Sequence, residues 1–229
     1  MIKHCFVTVL LLIQIGLLQA EQPDSVFSMK QQPLPKIAIP LMTAATAGAF
    51  FLDEPVRNHS SSSAGRQYSL VSDIGGEKTI IVPAVVASYG IGRFILKDPK
   101  LQATAWQSFQ SIMSTAFITE ALKISLGRAR PFTEEGHLSF HPFSWSHDPY
   151  KSLPSGHTSL AFAAFTPFAE NYSRWLYLVP ASVAVGRVWR DSHWVSDVVL
   201  GSCIGFLNGF LFSNNENIQL LPMGVVVKF

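Results

Sequence analysis

The chain has 229 residues, which is enough for one domain with a sizeable core and terminal additions. Hydrophobic residues make up 48% of it and charged residues 14%, whereas soluble domains carry roughly 25% charged residues. Together with a mean hydropathy of +0.26, this composition indicates a membrane protein or a very apolar helical interior. The net charge of +2 is small and scattered, so the chain lacks the basic patch that a nucleic-acid partner requires.

Residues 1–20 have the features of a secretory signal peptide. A short basic start at Lys3 and His4 precedes an apolar stretch at 6–18, and residues 18–20 form a plausible cleavage site. The alternative is an uncleaved anchor helix. Either way we expect export from the cytosol to the cell envelope. Cys203 is then the only cysteine beyond the leader, which excludes an intramolecular disulfide in the mature chain.

Residues 21–78 combine a polar leader, a short apolar segment at 37–52 and a polar loop with room for one short helix. The segment at 79–96 is apolar and long enough to cross a bilayer. Four further helices are predicted downstream, over residues 101–122, 158–169, 175–185 and 198–212. A His-, Pro- and aromatic-rich loop at 132–153 lies between the first and the second of these helices.

The small-residue content of these helices favours close packing within a membrane. We therefore predict an all-α helical bundle, membrane-embedded, with about five core helices in a domain at 79–213. Residues 214–229 end in an apolar, strand-like pattern. Because one strand cannot close a sheet, this segment is interpreted as an ordinary C-terminal tail.

The orientation of the bundle depends on whether residues 37–52 span the membrane. If they lie at the interface and the signal is cleaved, the helix at 79–96 runs inward and the basic turn at 97–100 is cytoplasmic, as the positive-inside rule prefers. The next helix then returns outward and its end faces the periplasm. If residues 37–52 do span, the orientation is reversed. The basic turn favours the periplasmic interpretation.

The first motif is Lys123-x6-Arg130-Pro131. Seven residues are two helical turns, so on a continuous helix Lys123 and Arg130 share one face, and Pro131 is expected to end that helix. An arginine fork and a lysine point charge are able to hold phosphate oxygens. Alone, the motif is more often the basic end of a membrane helix.

The second motif, Pro154-Ser155-Gly156-His157, directly precedes an apolar helix. Proline and serine suit a helix start, and glycine allows close approach of the backbone. The first N–H groups of a helix form a natural phosphate site, beside which His157 is able to act as a proton donor. A simple capped helix with a surface histidine explains the motif alone equally well.

The third motif combines Arg187 with His193 and Asp197, which are four residues apart and so adjacent on one helical face. A carboxylate on one imidazole nitrogen fixes the tautomer and leaves the other nitrogen as a nucleophile. An isolated pair of this kind is more often structural.

Taken in order, the three motifs resemble the signature of the type 2 phosphatidic acid phosphatase and vanadium haloperoxidase superfamily, K-x6-RP, PSGH and SR-x5-H-x3-D. The resemblance covers about residues 79–212. One position departs, because Gly186 stands where the family has serine, which puts one hydroxyl contact to phosphate in doubt.

The resemblance implies a metal-independent phosphatase without a cofactor. His193 would be the nucleophile that forms a phosphohistidine, Asp197 would orient it, and His157 would protonate the leaving oxygen and later activate water. The phosphate oxygens would be bound by the remaining motif residues, Lys123, Arg130, Ser155, Gly156 and Arg187.

The apolar helices favour a lipid phosphate or diphosphate as substrate, such as undecaprenyl diphosphate, phosphatidic acid, phosphatidylglycerol phosphate or lipid A. A vanadate-dependent haloperoxidase and a non-catalytic phospholipid-binding protein are the alternatives. A metal site at His137, His141 and His147 is a further possibility, but a wet loop at the substrate entrance is the preferred interpretation. The sequence gives no indication of the oligomeric state.

Overall fold

The computed structural model describes residues 34–60, 74–145, 147–214, 218–221 and 224–227. The predicted signal segment and most of the leader lie outside these residues. The described chain contains seven α-helices, α1 (Ala38–Phe50), α2 (Asp53–Ser60), α3 (Lys78–Gly90), α4 (Pro99–Leu126), α5 (Gly156–Asn171), α6 (Leu178–Trp189) and α7 (Val195–Asn214). The predicted all-α bundle is confirmed, with α3 to α7 as its core helices.

Two short strands follow the last helix. They are β1 (Ile218–Leu221) and β2 (Gly224–Val227), which pair antiparallel with Ile218 opposite Val227. The tail that the sequence analysis interpreted as ordinary thus contains an antiparallel strand pair, in which each strand supplies the hydrogen-bonding partners of the other.

Local sequence explains where the long helices begin. Asp98 caps α4, since its Oδ1 accepts hydrogen bonds from the N–H groups of Lys100 at 2.9 Å and Leu101 at 3.2 Å. Pro99 then occupies the first turn, where a missing N–H costs nothing. α3 begins after Glu77 and continues as a π-helical turn over Ile91–Ile95.

The centre of the bundle is formed by α4, α5 and α7. Three glycines of α7, Gly201, Gly205 and Gly209, face α5, and a Cβ on any of them would lie 2.2–2.7 Å from an atom of α5 or of its N-cap residue Ser155. Small residues at this spacing allow helix backbones to approach closely within a membrane. The N-terminal ends of α5 and α7 are therefore held side by side.

Two helices of the described chain are long and apolar enough to cross a membrane, Lys78–Ile95 and Val195–Asn214, and α1 is a shorter apolar helix. The outer face of the first is exposed at large apolar residues such as Ile80 and Phe94. Apolar side chains on the outside of an apolar helix are expected where lipid is the surrounding solvent.

The two ends of the bundle differ in chemistry. At one end, the Lys100 ammonium lies 4.4 Å from the Tyr172 ring and Asn171 donates to Thr104 at 2.9 Å, so the start of α4 meets the end of α5. At the other end, the last turn of α4 meets the first residues of α5. All three sequence motifs lie at this second end.

Candidate active site

The first motif begins on α4 and continues into the loop that follows it. α4 ends at Leu126, because Gly127 adopts a left-handed conformation with φ of 61° and its N–H donates to the Lys123 carbonyl at 2.9 Å. A side chain on Gly127 would meet the neighbouring loop backbone at 1.7 Å, so only glycine fits this turn. The expectation that one helix continues to Pro131 is wrong. Lys123 lies on the helix and Arg130 in the following loop.

Lys123 reaches the first turn of α5. Its side chain is buried, and its Nζ donates to the Lys151 carbonyl at 2.6 Å. A Cβ on Gly156 would lie 3.9 Å from this ammonium group. A cation therefore stands beside the end of α5 at which the first N–H groups point outward, and the two together favour an anion.

Arg130 is held from two sides. Its Nε donates to the Asp148 carbonyl at 3.0 Å, and its Nη2 pairs with the Asp148 carboxylate at 2.9 Å. Its Nη1 donates to the Ser192 carbonyl at 3.2 Å and lies 3.5 Å from His193 Nε2. These contacts direct one edge of the guanidinium group at the nucleophile candidate. Burial lowers the pKa of Arg130, with the neighbouring Arg187 acting in the same direction and Asp148 opposing both.

Arg187 lies in the last turn of α6 and is buried. Gly186, the position that departs from the family signature, is buried immediately before it. The Arg187 carbonyl accepts a hydrogen bond from the Ser192 N–H at 3.3 Å, which ties the end of α6 to the turn that carries His193.

His193 is only 2% exposed. Its Nε2 faces Arg130, and its Nδ1 lies 3.4 Å from Asp197 Oδ2. Burial lowers its pKa well below the ordinary value of 6.5, and the positive charges of Arg130, Lys123, Arg187 and His157 lower it further. The imidazole is therefore neutral near pH 7. The same interactions show that the charged groups of all three motifs surround one ring.

Asp197 is completely buried and is fixed by three donors. Its Oδ2 accepts hydrogen bonds from the Trp194 N–H at 2.9 Å and from the Ser152 hydroxyl, and its Oδ1 accepts one from Arg128 at 2.6 Å. A carboxylate with this many donors remains a hydrogen-bond acceptor in a single orientation. It lies 3.4 Å from His193 Nδ1, which has no hydrogen-bond partner among the described residues, and its role in orienting the ring stays a prediction.

Arg128 and Asp53 are two residues of this site that the sequence interpretation missed. Arg128 is completely buried and links Asp197 to Asp53, which accepts from its Nη2 at 2.7 Å. Asp53 in turn accepts hydrogen bonds from the Ser196 N–H and hydroxyl at 2.8 and 2.7 Å. The sequence signal for Arg128 was a second arginine two residues before Arg130. Asp53 had no signal, because it lies in α2, far from the motifs along the chain.

The second motif begins α5, with Ser155 as N-cap and Gly156 as first residue. The Ser155 hydroxyl donates to Thr158 Oγ1 at 3.0 Å and its N–H donates to the Asp197 carbonyl at 3.0 Å. Ser155 therefore connects the starts of α5 and α7. Its role as a phosphate ligand, like that of the Gly156 N–H, stays a prediction.

His157 stands in the first turn of α5 with 31% of its side chain exposed. Its Nε2 lies 3.2 Å from Oε2 of Glu77, the residue that caps α3. Glu77 is the third contributor that the motifs did not reveal. It belongs to the segment that the sequence assigned to a polar loop.

The three histidines of the loop at 132–153 each contact different neighbours. His137 Nδ1 lies 3.2 Å from Glu54, and His141 Nε2 lies 2.7 Å from Glu135, while His147 is exposed beside the Tyr150 ring. The described residues contain no group of three His, Cys, Asp or Glu side chains arranged to hold a metal ion.

Comparison with known proteins agrees with this geometry. The lipid A 1-phosphatase of Rhizobium etli is 34% identical over 102 residues, which are 42% of this chain and 44% of the relative. The lipid A 1-phosphatase of Porphyromonas gingivalis is 27% identical over 192 residues, 78% of this chain and 36% of the relative. The chain thus matches less than half of the length of these curated relatives.

Two solved structures share the fold. A transmembrane PAP2-type phosphatidylglycerolphosphate phosphatase from Bacillus subtilis superposes with a TM-score of 0.56 at 18% identity, covering 76% of this chain and 92% of the other. Aquifex aeolicus LpxE superposes with a TM-score of 0.55 at 17% identity, covering 70% and 94%.

The sequence-family model of the PAP2 superfamily matches residues 104–217. This range begins within α4 and continues past the end of α7, so it includes every residue of the three motifs. It leaves out Asp53 and Glu77, which approach the site from the preceding segment. The matched range, the motifs and the shared fold agree, and the chain belongs to the PAP2 superfamily.

Proposed function

We propose that this protein is a membrane-embedded phosphatase that hydrolyses a lipid phosphate or diphosphate through a phosphohistidine on His193. The observation that carries the proposal is the placement of this ring, with Nδ1 toward the Asp197 carboxylate and Nε2 toward Arg130. A nucleophilic histidine needs one nitrogen held by an orienting group and the other directed at a bound electrophile.

The positive charges around His193 favour the neutral imidazole with which this reaction begins. A neutral imidazole is required for attack, and burial with three neighbouring cations keeps the pKa of His193 well below its usual value. The same cations, Lys123, Arg130 and Arg187, are positioned to bind the oxygens of a phosphoryl group. Fixed positive groups stabilise the charge that develops on those oxygens in the transition state.

The first step forms a bond from His193 Nε2 to phosphorus and breaks the bond from phosphorus to the lipid oxygen. His157 gives its proton to that oxygen, and the lipid leaves as an alcohol. For a diphosphate, a lipid monophosphate leaves instead. In the second step water attacks phosphorus, His157 takes a proton from the water, and the nitrogen–phosphorus bond breaks to release inorganic phosphate.

The surroundings of the site support a lipid substrate. The loop between Arg130 and Ser152 exposes large apolar side chains, with Phe132, Phe143 and Trp145 at 50%, 68% and 70% exposure. Aromatic side chains are enriched at the level of lipid headgroups. Because the curated relatives carry the name lipid A 1-phosphatase, we expect a lipid A phosphate to be the best substrate within this class.

We further propose that the site faces the periplasm. The motifs and the basic turn at residues 97–100 lie at opposite ends of the bundle, as the contacts at the two ends of α5 indicate. A basic turn prefers the cytoplasm. In whole cells, a membrane-impermeant maleimide should label Ser144→Cys but not Lys97→Cys, both in a Cys5→Ser, Cys203→Ala background. The reverse pattern would place the site in the cytoplasm.

The activity is tested by phosphate release from the purified, detergent-solubilised protein. The panel contains lipid A 1-phosphate, phosphatidylglycerol phosphate, phosphatidic acid and undecaprenyl diphosphate, assayed with and without EDTA and orthovanadate. We expect release that orthovanadate suppresses and EDTA does not. Release from none of the four lipids would contradict the proposed function, and peroxide-dependent halide oxidation with bound vanadate would favour the haloperoxidase alternative.

A further inference from the structure

The segment before α3 packs directly against His157. A Cβ on Gly76 would lie 2.8 Å from the His157 Cβ and 2.8 Å from a Val183 methyl group, so the backbone at Gly76 fits closely against these two side chains. This packing brings the next residue, Glu77, to the imidazole. The segment lies outside the range matched by the family model.

The Glu77 carboxylate is held in one orientation. Its Oε1 accepts hydrogen bonds from the Thr79 N–H at 3.4 Å and the Thr79 hydroxyl at 3.2 Å, while its Oε2 lies 3.2 Å from His157 Nε2. Partial burial works against ionisation, but the Thr79 N–H and then His157 lower the pKa of Glu77 below its usual value. Glu77 therefore presents a fixed negative charge to the ring at neutral pH.

Besides Glu77, the described residues place His193 close enough to His157 for their charges to interact. The cations Arg130, Lys123 and Arg187 act in turn on His193. Asp197 is completely buried and paired with Arg128. Positive neighbours disfavour a protonated imidazole, whereas a carboxylate at hydrogen-bonding distance favours it and fixes the tautomer.

We propose that Glu77 is a positioning residue that holds the His157 ring and stabilises its protonated form, the form that donates a proton to the leaving lipid oxygen. This inference rests on the proposed phosphatase function. It predicts a role that depends on the leaving group, since a group that departs readily as an anion needs no proton from His157.

The test compares Glu77→Gln with the wild-type protein on two substrates, short-chain phosphatidic acid and nitrophenyl phosphate. For phosphatidic acid, we expect the basic limb of the kcat/KM profile to move to lower pH, with a loss of about 5–10-fold at pH 8 and less than about 2-fold at pH 6. For nitrophenyl phosphate, the loss should stay below about 2-fold at both pH values. Glu77→Asp, which keeps the charge, should recover part of the activity at pH 8.

Glu170→Gln is the matched control. Glu170 lies at the end of α5 opposite His157, where it accepts a hydrogen bond from the Tyr177 hydroxyl at 2.8 Å, so Glu170→Gln removes a comparable half-buried carboxylate far from the imidazole. Its pH profile should overlay that of the wild type.

The possible failures can be distinguished. If the wild-type protein releases phosphate and Glu77→Gln loses activity equally on both substrates and at every pH, Glu77 is merely structural and the inference is overturned. Unchanged activity in Glu77→Gln also overturns it. A wild-type protein that hydrolyses neither substrate contradicts the proposed function itself.

Discussion

The two histidines of the site occupy opposite environments. His193 is 2% exposed, and behind it lies a buried charged chain in which Asp197, Arg128 and Asp53 are all inaccessible to solvent. His157 is 31% exposed, and its carboxylate partner Glu77 is 37% exposed. One ring is buried beside a chain of buried charges, and the other is partly exposed.

This difference matches the tasks proposed for the two residues. A nucleophile benefits from desolvation and from a fixed direction of attack. A residue that first donates a proton and later activates water must exchange protons with its surroundings. The structure therefore separates a positioned ring from an accessible one, although both lie at the same end of the bundle.

The largest effect is expected from removing the two rings themselves. His193→Ala should lower phosphate release by about 10⁴-fold or more, because no other group forms the covalent intermediate. His157→Ala should cost about 10²–10⁴-fold, the typical contribution of general acid catalysis. Steady-state assays with short-chain phosphatidic acid check both values. His147→Ala, at an exposed loop histidine, should keep nearly full activity, and turnover by His193→Ala at the wild-type rate would refute the mechanism.

The buried network behind His193 is tested by Asp53→Asn. This change leaves the completely buried Arg128 with one carboxylate fewer. Breaking a buried pair lowers the free energy of unfolding by about 3–5 kcal/mol. We also expect kcat to fall by about 10–100-fold, because Asp53 supports Arg128, which contacts Asp197. Denaturant or thermal unfolding in detergent measures the first effect and the phosphatase assay the second.

Asp191→Asn is the control for this network. Asp191 also joins α2 to the turn before α7, through Arg57 at 3.1 Å, but its side chain is 42% exposed. Such a pair contributes at most about 1 kcal/mol. Equal losses in Asp53→Asn and Asp191→Asn would show that burial does not distinguish the two contacts.

The sequence predicted the two rings better than it predicted the groups that support them. The order and spacing of the motifs predicted His157, His193 and Asp197 as site residues, because each motif occupies a short interval of the chain. Asp53 and Glu77 were missed, because each reaches the site through tertiary packing across more than 70 residues of chain. The interpretation of the first motif also carried a continuous helix on to Pro131, whereas α4 ends at Leu126. Gly127 ends it through backbone conformation, a signal weaker in the sequence than the proline that follows.

The separation of the two rings is also set by helix packing. A Cβ on Gly205 would lie 2.2 Å from the Ser159 carbonyl and 2.8 Å from Phe162, so Gly205→Ala should push α7 away from α5. Overpacking of this kind lowers the free energy of unfolding by about 1–3 kcal/mol. We expect kcat to fall as well, because His193 and His157 would no longer keep their relative positions. Gly48→Ala, where a Cβ would have no neighbour within 4 Å, should instead raise the unfolding midpoint slightly.

The smallest effect concerns the acid side of the pH profile. Burial, and then the positive charges of Arg130, Lys123 and Arg187, hold the pKa of His193 well below 6.5. A lowered pKa means that the ring stays neutral as the pH falls through 6.5, so the nucleophile is lost only at lower pH. After correction for ionisation of the lipid phosphate, the acid limb of kcat/KM should therefore lie clearly below pH 6.5. A limb at 6.5 would mean that His193 is solvated like an exposed histidine, and the contrast between the two rings would not hold.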